Sequence, residues 1–119
     1  MKLVAIDFET YWNSKEGYTL SKMGPIEYIR DPRFAVQMMA WQTANEGGVA
    51  FGEDISACLD ALKLCESETV TFAHNGAGFD FLILNEVYGV RPAHPIDTIP
   101  MAAWCGITRI GPASHKAVT

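Results

Sequence analysis

Residues 2–9, KLVAIDFE, constrain the fold more than any other stretch. Leu3, Ala5, Asp7 and Glu9 alternate with Val4, Ile6 and Phe8, the period-two pattern of a β-strand. Apolar residues on both sides of the run predict a central strand covered on both faces. Yet it finishes in two carboxylates two positions apart, and a strand projects such a pair to the same side. Asp7 and Glu9 are therefore expected to stand together while Phe8 points into the core. Adjacent carboxylates repel, and one takes a raised pKa unless a cation joins them. Three arrangements remain open. The pair can share a proton and act as acid and base, bind a hard divalent ion such as Mg2+ or Mn2+ through oxygen, or end a strand as solvated acids.

The rest of the chain supplies neighbours for that strand. FAVQMMAWQT (34–43) reads as a second strand, and NEGG (45–48) turns the chain into a short third, VAFG (49–52), giving a hairpin. Asp54 reads as the N-cap of a helix that carries Ile55, Cys58, Leu59, Leu62 and Cys65 at helical spacing to about Glu66. TVTFAHN (69–75) is a further strand, and Ala77–Tyr88 a helix ended by Gly89, with Pro92 soon after. HPID (94–97) is a short strand, and Thr98 caps a last helix to about Cys105, with Pro100 in its first turn. Residues 10–32, which contain GPIEYIRDP, read as loop with a short helical piece near Leu20–Met23. The order β-β-β-α-β-α-β-α predicts an α/β layered domain: a mixed sheet with an antiparallel hairpin start and then parallel strands, with flanking helices.

At 119 residues, with 49% apolar and 19% charged residues, the chain is one small globular domain or part of one. Its net charge of −5 argues against holding nucleic acid mainly through phosphates, unless metal ions or another domain supply positive charge. Cys58, Cys65 and Cys105 lack CxxC spacing and read as reduced thiols, the first two packing inward along one helix. There is neither a signal-peptide pattern nor an apolar run long enough to span a membrane, so a cytoplasmic location is expected. Lys15, Lys22, Arg30 and Arg33 either touch phosphate or form a solvated loop. Trp41 and Trp104 read as core, and Trp12 is free to stack on a base.

TFAHNGAGFDFLIL (71–84) is the second stretch with chemical content. A strand ends at His74–Asn75, Gly76 and Gly78 let the backbone turn tightly, and Asp80 falls in the first turn of the next helix. In α/β sheets, sites form at the carboxyl ends of strands. Asp7, Glu9, Asn75 and Asp80 all lie at or just after such ends, so three carboxylates are expected to converge there. DFET (7–10) and NGAGFD (75–80), the latter with Asn-x3-Phe-Asp spacing, resemble the first two motifs of the DEDD superfamily of 3′–5′ exonucleases. IDT (96–98) resembles the strand-to-helix step that follows them, and residues 7–41 are similar to the proofreading region of phage-type family A DNA polymerases.

That resemblance implies a ribonuclease H-like fold holding two divalent ions, Mg2+ or Mn2+, at a site that hydrolyses phosphodiester bonds at a single-stranded DNA 3′ end. It implies that Asp7 bridges both metals, that Glu9 ligates one and that Asp80 holds the second. It also implies that Thr10 and Asn75 contact the terminal nucleotide, with Phe79 packed near it and His74 at the substrate edge. Two ions about 3.5–4 Å apart activate a water and stabilise the leaving 3′ oxygen. The family's third motif, a Tyr or His base with a fourth carboxylate, has no counterpart, because no Asp or Glu follows Asp97 and His115 is the one later candidate base. The chain therefore resembles a partial exonuclease domain over residues 1–119, incomplete at the C-terminus, from a phage-infected or prophage-carrying bacterial cell, with a polymerase domain as its partner in a full-length protein. The alternative is an inactive remnant that binds a nucleic acid or a protein.

Overall fold

A computed structural model describes residues 1–100 of the chain. Within them the elements run β1 (Lys2–Thr10), α1 (Leu20–Met23), α2 (Pro25–Arg30), β2 (Val36–Gln42), β3 (Gly47–Phe51), α3 (Asp54–Leu62), β4 (Thr69–Ala73), α4 (Phe81–Tyr88) and β5 (His94–Asp97). The expected residues 101–105 of the last helix, with Trp104 and Cys105, and the candidate base His115 lie outside the described residues.

The five strands form one mixed sheet in the order β3-β2-β1-β4-β5. β1 runs antiparallel to β2 and parallel to β4, while β2–β3 is antiparallel and β4–β5 parallel. The architecture is thus α/β, with a hairpin start, parallel strands after it, and helices against the sheet. The β2 ladder follows β1 to Thr10, with a register shift at Glu9/Thr10, whereas the β4 ladder stops at Ala5 opposite Phe72. The acid-bearing half of β1 is therefore paired along one edge only.

The core lies on one side of the sheet. Val4, Ile6, Phe8, Met39, Ala50 and Ala73 are buried with Ile55, Leu59 and Leu62 of α3, Ile83 and Leu84 of α4, and Tyr28 and Ile29 of α2. Burial of this kind stabilises by about 25 cal/mol per Å2 of apolar surface. The expectation that β1 is covered on both faces does not hold among the described residues. Leu3 is 47% exposed, and Ala5, Asp7 and Glu9 are exposed with it. Val49 and Phe51, opposite Ala40 and Met38 on the same face, are 49% and 60% exposed. The apolar residues on that face made the strand look central, but the helices pack against the other.

Smaller departures have local causes. Residues 25–30 are helical, not loop: Pro25 occupies the first turn, where its missing N–H costs nothing, and Tyr28 and Ile29 supply the buried side. Glu53, not Asp54, is the N-cap of α3, and the helix ends at Leu62 because Lys63 turns left-handed, φ 55°. Cys65 therefore falls beyond the helix and is exposed instead of packed, while Cys58 is half-buried as expected. The segment after β4 starts with a π-helical turn, Gly76–Asp80, before α4. Gly89 ends α4 with φ 65°, as its position in the sequence predicts.

Candidate active site

Two strand ends and one turn assemble the candidate residues. Asp7 and Glu9 leave β1 on the open face, both exposed. Beyond β4 the chain reverses through Asn75, a non-glycine residue with φ 57°. The turn packs closely at its glycines: a Cβ on Gly76 would lie 2.6 Å from the Phe81 ring and 2.9 Å from Ala73 Cβ, and one on Gly78 2.8 Å from Asn75 Oδ1. This tight turn delivers Asp80 to β1.

Asp80 is buried, with 3% of its surface exposed. Its carboxylate accepts a hydrogen bond from the Phe8 backbone N–H. That N–H belongs to the half of β1 that β4 does not pair, so Asp80 takes over where the ladder stops. Its pKa is pushed up from 3.8 to about 7, first by burial and next by the charge of Asp7, with further pushes from Asp97 and Glu9; the Phe8 N–H acts the other way. Acids far apart in sequence thus act on one another at one end of the sheet.

The structure divides the remaining candidates. Thr10 hydrogen-bonds through its hydroxyl to the Tyr28 hydroxyl at 2.9 Å. Phe79 is half-buried, its ring 5.9 Å from that of Tyr28, at the margin of an aromatic cluster in which Tyr18 stacks on Tyr28 at 4.6 Å. Burial and the neighbouring Tyr28 push the Tyr18 hydroxyl up to about 12, and it donates to the Tyr28 carbonyl at 2.9 Å. His74 and Asn75 are exposed. His74 lines an open cavity of about 440 Å3 with Ala5, Asp7, Phe72 and Thr98. A larger cavity, about 670 Å3, lies at the opposite end of β1 around Met1, Leu3 and Trp41, away from the acids.

Asp97 is the site residue that sequence reasoning missed. One of its oxygens accepts from the Asn75 N–H at 3.0 Å and the Ile99 N–H at 2.9 Å. It thereby caps the helix that starts at Thr98, the role the sequence had suggested for Thr98 itself, and ties that helix to the Asn75 turn. An Asp just before a helix start is the signal that could have found it.

Of the four basic residues between the first two strands, the two arginines are committed elsewhere, while Lys15 and Lys22 are exposed. Arg30 pairs with Glu86 at 3.2 Å, and Arg33 pairs with Asp31 at 2.9 Å while lying over the Tyr18 ring. The Arg33 hydrogen bonds hold the Asp31 carboxyl down at about 2.

A divalent ion suits the chemistry of the donors, though not a finished cage. Among the described residues no group of three or more His, Cys, Asp or Glu side chains is arranged to hold a metal ion. The donors are nonetheless hard oxygens, and a cation beside a desolvated carboxylate and its acidic neighbour relieves the repulsion that otherwise favours protonation. Among the described residues no helix is long and apolar enough to cross a membrane. Comparison with protein-family models, with curated proteins and with solved structures found no match.

Proposed function

We propose that the chain is the 3′–5′ exonuclease region of a phage-type family A DNA polymerase, with a ribonuclease H-like fold, acting on single-stranded DNA ends. The observation that carries this reading is Asp80: buried, bonded to the strand that bears Asp7 and Glu9, and raised in pKa first by that burial and then by the charge of Asp7. A chain of net charge −5 that gathers acids at the carboxyl ends of parallel strands needs cations before it can approach phosphate. Asp7, Glu9 and Asp80 would hold Mg2+ or Mn2+, which would supply a Lewis acid and counter-charge. The chain's own residues do the rest. Asp7 and Glu9 present their oxygens from a strand whose other neighbour fixes it by hydrogen bonds to Thr10. The Asn75 turn and His74 stand exposed where a nucleotide end would lie.

The test is digestion of a labelled single-stranded oligonucleotide with Mg2+ or Mn2+. Progressive loss of 3′ nucleotides by the wild type, abolished in Asp7→Ala, is the expected result. Equal digestion by both would discard the assignment. A second reading, a module that binds a nucleic acid end without cutting it, is favoured by the absence of a finished three-ligand group among the described residues. Oligonucleotide binding without digestion would select it.

A further inference from the structure

Among the described residues the sheet ends in β5 on one side and β3 on the other. β5 carries Pro95, which has no N–H to offer an incoming strand. β3 contains neither a proline nor a charged side chain, and every residue of it but Ala50 is exposed. Its outward backbone groups follow from the register. The Thr43 N–H donates to the Glu46 carbonyl at 2.7 Å, and the same register continues through Trp41–Gly48 and Met39–Ala50. Bonded and non-bonded pairs alternate along an antiparallel ladder. Gly48 and Ala50 therefore bond to β2, while the N–H and C=O groups of Gly47, Val49 and Phe51 point away from the sheet. The Val49 and Phe51 side chains are 49% and 60% exposed beside them. Exposed acids flank the strand, Glu46 before it and Glu53 and Asp54 after it, and none of the three is in an ion pair among the described residues.

We propose that the β3 edge takes up an extended peptide segment of another protein as a further strand, one with apolar side chains at alternate positions and Lys or Arg at both ends. Backbone bonds to Gly47, Val49 and Phe51 hold the segment, and its alternate apolar side chains lie beside Val49 and Phe51. Its basic ends meet Glu46 on one side and Glu53 and Asp54 on the other. Natural edges are commonly blunted by charge or proline, and β3 has neither. A second copy of β3 is a poorer occupant. Paired antiparallel about Val49, it brings Glu46 of each copy opposite Gly52 of the other, next to Glu53, where like charges repel. β2 separates this edge from β1 and its acids, so the interaction stands apart from the hydrolytic reading.

The test is titration of the 15N-labelled chain with a synthetic peptide of alternating valine and threonine ended by lysines, and with its glutamate-ended counterpart. The lysine-ended peptide should shift the Val49 and Phe51 amides and protect them from exchange. The glutamate-ended peptide should bind at least about tenfold more weakly. Val49→Pro removes an outward N–H and no bond to β2, so it should abolish binding in a chain that still folds. The double variant Glu46→Lys, Glu53→Lys changes exposed side chains only and should reverse the preference between the peptides. Unshifted Val49 and Phe51 amides, equal affinity for the two peptides, or an unchanged preference in the double variant overturns the proposal. So does protection of those amides in a dimer of the free chain, which would assign the edge to a second copy.

Discussion

The Phe8 backbone N–H donates to the Asp80 carboxylate, so the residue between the two exposed acids is itself bonded to the buried third. Raising the Asp80 pKa from 3.8 to about 7 has a definite sign for stability. Between those values the folded chain keeps a proton that the unfolded chain has released, so stability falls as pH rises through that window and levels off above it. At about 1.4 kcal/mol per pH unit, the fall is on the order of 4 kcal/mol. Asp80→Asn keeps an acceptor for the Phe8 N–H and removes the charge. Urea unfolding at pH 5 and pH 8 should show a pH-dependent loss in wild type that is much reduced in Asp80→Asn. Mg2+ should recover part of the loss at pH 8 in wild type and little in the variant. Parallel pH slopes for the two chains would refute the buried-charge account.

Tyr28 joins the end of β1 to the helical layer. Its hydroxyl bonds to Thr10 Oγ1 and to the Tyr11 carbonyl, while its ring stacks with Tyr18. Tyr28→Phe keeps the ring and strips both bonds. It should cost about 1–3 kcal/mol in chemical denaturation, because Thr10 and the Tyr11 carbonyl lose a partner in a partly buried place. A loss below about 0.5 kcal/mol would mean that water replaces the hydroxyl.

The open sheet face predicts association. Val49 and Phe51 stand about half exposed on it, level with Ala40 and Met38 of β2. Exposed apolar side chains of this kind favour self-association. Sedimentation velocity on the double variant Val49→Lys, Phe51→Lys should show less oligomer than wild type at equal concentration. Its unfolding free energy should move by no more than about 0.5 kcal/mol, since surface changes away from packing are nearly neutral. Unchanged oligomer content would exclude this face as the contact.

Periodicity made the strands legible. The alternation in β1 and the β2–β3 hairpin emerged close to their observed limits, and Gly89 ended α4 where expected. Coverage was not legible, because Leu3 and Ala5 are apolar whether or not a helix lies over them. Helix α2 was hidden by Gly24 and Pro25, read as loop signals although Pro25 starts the helix. At the site, the approach of Asp80 to Asp7 followed from placing each acid at a strand end. Asp97 did not follow: its task is to accept two backbone N–H groups, and backbone donors leave no trace in side-chain spacing.

Exposure sorts the acids by what their loss would do to the molecule. Asp7 and Glu9 lie on the open face, so a chain that changes them still folds and passes any selection for folding alone. Reactivity there can vanish silently, by drift, leaving an intact scaffold available for another role. Asp80 offers no such freedom: buried and bonded to β1, it couples whatever chemistry the chain performs to the persistence of the fold.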